Sequence, residues 1–523
     1  MAAPKVLMLT NIDRGEANIF LAASRAMLAS NPEVEIHLAS FPGLEKDAAA
    51  ISEDARKANP DADTKPIAYH TIKGPSMEEG ITAIFHEKGA VDEGEYLPRS
   101  FMKPLSFGVT KQTLSDVAPI FVPYSGPQLV DVYNSIVEII GQVKPDLVVV
   151  DSLMTPGLTA CWYAGVNFTC LSPNSFKEFA GPLQSRAANL WKYPALMSGY
   201  PFPVPWHLIP ANIYLSIYAI IQLIKDKSRV ASTKHFEETI GKKLRTPVDL
   251  LRNRPESLKI LVASLPELDF PLQMLPSHLV ACGPIIRPAP AIADSSPELA
   301  TWLARGPTIY INLGSICKVS ETQAVEMAGA IKKTLDALDS RAAGDGAQKY
   351  QVLWKLQKSG EYKTTDSGSA IHNVVGAEIG ADRVRIVSWV DAVPFSILES
   401  GHVACSVHHG GANSFNEAVL AGVPQVVLPQ WTDCYDYSRR VELLGIGRLG
   451  AHKQKPRWQA DELSTELLAV LSGDGAETMK IKAKEVAAAT RKHGDGATTA
   501  ARLIMEQVKA PEKTANGTAE DEV

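Results

Sequence analysis

The run Leu147-Val148-Val149-Val150, closed by Asp151, is the feature that most constrains this chain. Four consecutive apolar residues with no polar alternation suit a strand covered on both faces, as in a parallel sheet with helices on each side. The pattern recurs at Val6-Leu7-Met8-Leu9, and strand-like runs alternate with helical periodicity almost throughout. In the first half, 5–9, 34–40, 67–72, 146–151 and 168–171 read as strands, with helices at 17–28 and 153–164. A second series follows at 308–315, 350–356, 383–389, 403–407 and 424–429, and a closing helix is expected over 476–508.

This repetition predicts an α/β protein of two doubly wound domains. With 523 residues, 45% of them hydrophobic, the chain can fill two large cores. An amino-terminal domain is expected over 1–282, a proline-rich linker over 283–306 ("GPIIRPAPAIADSSPEL" has four prolines), a second domain over 307–475, closing helices over 476–508 and a disordered polar tail over 509–523. Two stretches, 74–130 and 172–255, lose the alternation. Rich in Gly, Pro and aromatics (Phe85, Phe101, Phe107, Phe121, Tyr124), they read as irregular insertions forming a substrate wall. A cleft between two such domains is a common ligand site.

The net charge is −6 and no basic cluster carries interleaved aromatics, which argues against a nucleic-acid partner. Six scattered cysteines without a Cys-x-x-Cys pair predict reduced thiols in a cytoplasmic protein, with neither a disulfide framework nor a zinc site. The short apolar run near the start reads as a strand, not a signal peptide. The stretch 207–227 is apolar but carries Asn212, Ser216 and Gln222, and reads first as a buried helix. A surface touching a bilayer or a greasy substrate is the second reading.

Two turns carry chemistry. Between the strand 403–407 and the next helix lie His408-His409-Gly410-Gly411-Ala412-Asn413-Ser414. Glycines let backbone approach a ligand, and a helix N-terminus offers N–H groups to an anion. The plain alternative is a capping box, Ser414 with Glu417, beside an ordinary His-His pair. With only Gly15 in the first βα turn, the dinucleotide fingerprint is missing and NAD or FAD is disfavoured. That first turn, Asp13-Arg14-Gly15-Glu16, sets an acid at the mouth of a helix, where it could serve the helix dipole or act as a base. If the first four strands follow the doubly wound order 3-2-1-4, strands 1 and 4 are neighbours, so Glu16 and Asp151 face one crevice. Paired carboxylates raise each other's proton affinity, which suits a base near neutral pH; the plain reading of Asp151 is a strand-end cap.

Trp389, then His409-Gly410-Gly411-Ala412-Asn413-Ser414-x-x-Glu417, Gly422-Val423-Pro424, Pro429 and Asp433 together resemble the nucleotide-sugar signature of family 1 UDP-glycosyltransferases, in wording similar to fungal members. The resemblance implies the GT-B fold: two Rossmann-like domains facing across a cleft, with no cofactor and no metal beyond the UDP-sugar co-substrate. It further implies that Trp389 stacks on uracil and the Val390 backbone reads its edge. His409, Gly411, Asn413, Ser414 and Ser315 would hold the diphosphate, Glu417 the ribose hydroxyls and Asp433 the sugar hydroxyls. The partners expected are a UDP-sugar, by default UDP-glucose, and a small lipophilic acceptor of phenolic, polyketide or sterol-like type. Two departures stand out. Cys434 replaces the usual glutamine, and the usual histidine of the first turn is missing: Arg14-Gly15-Glu16 instead resembles the Arg-Gly-Asp turn of sterol and glycopeptide glycosyltransferases. Glu16 and Asp151 are therefore the candidate catalytic residues. The alternatives are a UDP-sugar epimerase-like enzyme and a catalytically impaired UDP-sugar-binding homologue.

Overall fold

A computed structural model describes residues 3–92, 97–341 and 348–509. Two parallel sheets organise it. The first holds β1 (Lys5–Leu9), β2 (Glu35–Ser40), β3 (Ala68–Thr71), β4 (Leu147–Asp151), β5 (Phe168–Ser172), β6 (Ile260–Val262) and β7 (Leu279–Ala281), in the order β3-β2-β1-β4-β5-β6-β7. The second holds β8 (Thr308–Asn312), β9 (Gln351–Lys355), β10 (Val384–Val387), β11 (Val403–His408), β12 (Gln425–Val427) and β13 (Gly447–Leu449), in the order β10-β9-β8-β11-β12-β13. Every residue of β4 and of β8 is buried, as strands sandwiched between helix layers must be. In each sheet the strand order reverses beside the first strand, at β1/β4 and at β8/β11. Such reversals open a crevice at the carboxyl ends of the strands.

The domains meet through a small apolar core and buried charges. Leu265 and Leu268 of the first domain pack with Phe415, Val419 and Tyr437 of the second. Lys177 Nζ donates to Asp436 Oδ2 at 2.6 Å, and Arg440 Nε lies 3.0 Å from Asp269 Oδ1. These pairs are almost dry. Losing one partner would leave a buried charge unpaired, so they favour one relative placement of the domains.

Several expectations need correction. The insertions 74–130 and 172–255 are largely helical, with helices at Met77–Glu87, Phe107–Val117, Gly126–Val143, Ile209–Lys225 and Lys227–Ile240. Their serines are helix starts: Ser76 Oγ accepts from Glu79 N, and Ser106 Oγ from Val109 N, each at 3.2 Å. The expected linker 283–306 contains the helix Pro297–Leu303, whose Trp302 and Leu303 are buried with Tyr310 and Leu353 in the second core. The closing helices expected over 476–508 are Ala476–Arg491 and Gly496–Lys509. The second returns to the first domain, burying Ala500, Ile504 and Met505 against the first helix and β1. Apart from Lys509, the tail predicted to be disordered lies outside the described residues.

The stretch 207–227 is not a buried helix. Its helical part lies on the surface, with Ile220 51% and Ile224 58% exposed. All six cysteines are buried and unpaired.

Candidate active site

The first helix, Arg14–Ser30, begins directly after β1, and its first turn carries Glu16. Asp13 is the N-cap residue but caps nothing with its side chain. Glu16 is 7% exposed and points inward to Asp151, the last residue of β4, which is fully buried. The two carboxyls lie close enough to interact, where a proton between them would relieve the repulsion of two buried charges. Asn11 Nδ2 donates to Asp151 Oδ2 at 3.2 Å, and the Leu153 N–H donates to Asp151 Oδ1 at 2.9 Å.

Burial, then the charges of Asp151 and Asp13, push Glu16 well above the ordinary carboxylate range. Burial also raises Asp151, but the hydrogen bonds from Glu16, Leu153 and Asn11 oppose that rise. Both carboxyls are thus raised, and the pair as a unit holds a proton more readily than a free carboxylate does. Glu16 Oε2 is buried without a partner. The helix-dipole reading of Glu16 therefore fails, because its side chain turns to Asp151. The strand-end reading of Asp151 holds in part, through the Leu153 contact.

The second crevice lies at the ends of β8 and β11. His408 is satisfied in the core. Its Nδ1 accepts from the Gly410 N–H at 3.0 Å, and its Nε2 lies 2.8 Å from Gln425 Oε1. His409 differs: its Nδ1 is buried with no partner. Burial, with the nearby His408 and Lys355, pushes it down to about 3, so the imidazole is neutral. Two glycines make room for this ring. A Cβ on Gly314, at φ +85°, would lie 2.8 Å from His409 Cε1, and a Cβ on Gly411 would lie 2.4 Å from its Nε2.

The capping-box reading fails. The helix is Ala412–Ala421, its N-cap is Gly411 and it has no side-chain cap, so Asn413 and Ser414 lie within its first turn. Glu417 follows on the same helix, its carboxyl pushed up to about 8 by burial. Trp389 stands 61% exposed beyond the end of β10, with half-buried Val390 after it, and Ser315 is exposed just past β8. Asp433 begins the helix Cys434–Leu443, and burial raises its carboxyl. Thr432, before it, sits at φ +24°, a strained setting for a β-branched residue and one that recurs at functional sites.

One contact joins the crevices: Asn413 Nδ2 donates to the Arg14 carbonyl across the cleft at 3.3 Å. The start of the anion-type helix thereby faces the turn that carries Glu16.

Sequence reasoning missed five residues here, Asn11 beside the carboxyl pair among them. Lys355 ends β9 with Nζ 4.3 Å from the Trp389 ring centroid and 3.3 Å from the Gly314 carbonyl. Its position at a strand's carboxyl end was the available signal. Asp13, pushed up to about 7 by burial, Glu78 and Asp151, is a third carboxyl beside the pair. Glu178 of the first domain, also pushed up to about 7 by burial and by Asp433, accepts from Ser175 Oγ at 3.2 Å and feels the Asp433 carboxyl of the second domain. Trp431 packs on His409 at 5.2 Å between ring centroids and also touches an apolar cluster of Phe101, Val117 and Met197 from the first domain.

Two Rossmann-like domains, each with its functional turns at a topological switch point and an uncapped helix start facing a carboxyl pair, define a group-transfer enzyme of GT-B fold. The chain belongs to the family 1 glycosyltransferases. Residues 375–504 match the family described as erythromycin biosynthesis protein CIII-like, C-terminal domain. The chain is 32% identical over 474 residues to glycosyltransferase sdnJ of Sordaria araneosa, covering 88% of this chain and 86% of that one. It is 31% identical over 220 residues to the vancomycin aglycone glucosyltransferase of Amycolatopsis orientalis, covering 42% of this chain and 44% of that one. Among solved structures, Phytolacca americana UGT2, complexed with UDP-2-fluoro-glucose and pterostilbene, superposes with a TM-score of 0.58 at 15% identity, covering 97% of this chain and 99% of that one.

Proposed function

We propose that this glycosyltransferase moves a sugar, by default glucose, from a UDP-sugar to a hydroxyl of a small lipophilic acceptor with inversion at the anomeric carbon. The observation that carries the reading is the Asn413–Arg14 contact, which sets the anion-binding helix start opposite the Glu16–Asp151 pair. Trp389 offers a ring face to the base, and Glu417 and Asp433 offer carboxyl groups to ribose and sugar hydroxyls. The first-turn N–H groups of Ala412–Ala421, with Asn413, Ser414, Ser315, His409 and Lys355, receive the diphosphate. The cluster of Phe101, Val117, Met197 and Trp431 supplies an apolar wall for the acceptor. Glucosyl transfer by the Amycolatopsis relative and the UDP-sugar in the Phytolacca complex support the donor by analogy.

In the reaction, the acceptor oxygen bonds to the anomeric carbon while the bond from that carbon to the diphosphate oxygen breaks, and UDP leaves with the electron pair. The acceptor proton passes to Glu16 as the proton shared within the pair moves onto Asp151. A pair that begins with one proton ends with two, so Glu16 and Asp151 together do what a single base would do. The helix start and Lys355 stabilise the charge growing on the departing diphosphate. The test is transfer from UDP-glucose, UDP-GlcNAc and UDP-glucuronate to phenolic, polyketide and sterol acceptors, read by mass. A glycoside product whose formation needs Glu16 supports the proposal. UDP binding without transfer to any acceptor overturns it in favour of a non-catalytic homologue.

A further inference from the structure

The helix Ile209–Lys225 turns an apolar face outward. Its inward face buries Leu215 with Leu114 and Ala195 and is pinned by polar side chains. Asn212, fully buried, accepts from the Ala195 N–H at 2.7 Å and donates to the carbonyls of Leu190 and Tyr193 at 2.9 and 2.8 Å. Gln222 Oε1 accepts from Ser115 Oγ at 3.3 Å. The outward face carries Tyr214, Ile217, Ile220, Ile221 and Ile224, each at least 39% exposed, with Trp206 at the entrance. The spacing from 214 to 217, 221 and 224 keeps one stripe facing outward over the length of the helix. Phe107, 46% exposed, extends the stripe by packing a tilted ring against Tyr214 at 5.4 Å between ring centroids. A continuous apolar stripe of this kind marks an interaction surface.

The charge around it selects the partner. Residues 190–230 hold four lysines or arginines and one carboxylate, in a chain whose net charge is −6. That carboxylate, Asp226, is paired with Lys88 at 2.5 Å. Lys225 and Lys227 are exposed at the far end of the helix, and Lys111 Nζ lies 5.1 Å from the Tyr218 ring centroid along its flank. An aliphatic stripe bordered by Trp and Tyr and rimmed by lysine is complementary to an anionic bilayer surface. A second copy would bring the same cations against these. The stretch Trp206–Lys225 is long and apolar enough to cross a membrane. Its inward face is nonetheless fixed to the domain, which leaves it lying along a surface.

We infer that the exposed face of Ile209–Lys225, with Trp206 and Phe107, docks this protein on the surface of an anionic phospholipid bilayer. The neighbouring helix Phe107–Val117 packs Leu114 beneath the stripe, against Leu215, while its Val117 reaches the cluster that touches Trp431 in the cleft. A lipophilic acceptor dissolved in the bilayer would thus meet the cleft across one helix. That last step rests on the acceptor reading above, whereas the docking does not.

The experiment is sedimentation of the full chain with phosphatidylcholine vesicles, without and with about 30% phosphatidylserine, at low and high salt. The wild-type protein is expected to pellet with the anionic vesicles and to be released by salt. The triple variant Ile217→Glu/Ile221→Glu/Ile224→Glu should bind about tenfold more weakly or worse with an unchanged unfolding midpoint, since these positions already face water. Trp206→Ser, the mildest change, should weaken binding in the same direction. Wild-type protein that stays in the supernatant with both vesicle types overturns the inference, as does binding by both variants equal to wild type. A wild-type dimer that the triple variant splits into monomers overturns it in favour of self-association.

Discussion

The two walls of the cleft reach the same topological position by different routes. On the donor side, the functional side chains from Trp389 to Asp433 follow one another along a single stretch of chain, and each is aimed by its local turn or helix start. On the base side, Glu16 and Asp151 are far apart in sequence and meet only because β1 and β4 are neighbours. The chemistry differs as well. The donor wall offers neutral and cationic groups to an anion: a neutral His409, uncapped N–H groups and Lys355. The base wall concentrates buried carboxyls and raises their proton affinity. On the proposed reading one wall binds the leaving group and the other holds the proton, so each should be open to damage without the other.

The largest break expected is in the base wall. Glu16→Gln or Asp151→Asn should lower kcat by ~10²–10⁴-fold while the donor KM stays near wild type, because general base catalysis is worth that much. Steady-state kinetics with saturating acceptor check this. Glu16→His should retain more activity than Glu16→Gln, since an imidazole against Asp151 restores a base.

A smaller break is expected in the donor wall. Gly411→Ala places a Cβ against His409 Nε2 and must displace the ring. The donor KM should rise by roughly 10–100-fold, with kcat falling less. A fall in kcat with unchanged KM would mean that His409 serves the chemical step alone.

The smallest effect concerns stability. The folded-state value of Glu417, about 8, lies above its ordinary value, so the fold prefers the protonated carboxyl. That contribution is complete below about pH 4.5 and is lost as the pH rises to about 8. Glu417→Gln removes the loss. Its stability advantage over wild type should therefore grow from pH 5 to pH 8, reaching about 1–2 kcal/mol after solvent screening, in urea titrations across that range.

These differences also explain what was legible in the sequence. Because the donor wall is local, the resemblance to family 1 UDP-glycosyltransferases could carry Trp389, His409, Glu417 and Asp433 along one stretch of chain. The Glu16–Asp151 pairing needed strand order, which the doubly wound arrangement supplied once the apolar run before Asp151 marked β4 as a buried strand. Asn11 and Asp13 were hidden because their contacts with the pair depend on side-chain direction. Lys355 and Glu178 were hidden because one lies on a separate strand and the other in the first domain. The insertions were misread because serine and glycine count as breakers in composition, while Ser76 and Ser106 act as helix caps. The surface helix was misread for a related reason. Asn212 and Gln222 look like interruptions of an apolar stretch, yet they are its anchors to the domain.

The division of labour between the walls can be tested in one experiment: calorimetric titration of UDP into wild type, Glu16→Gln and the double variant His409→Ala/Glu417→Ala, with turnover measured on the same samples. The expected result is that Glu16→Gln binds UDP as tightly as wild type and turns over ~10²–10⁴-fold more slowly, whereas the double variant loses UDP affinity. Wild-type turnover by Glu16→Gln, or undiminished UDP binding by the double variant, would contradict it.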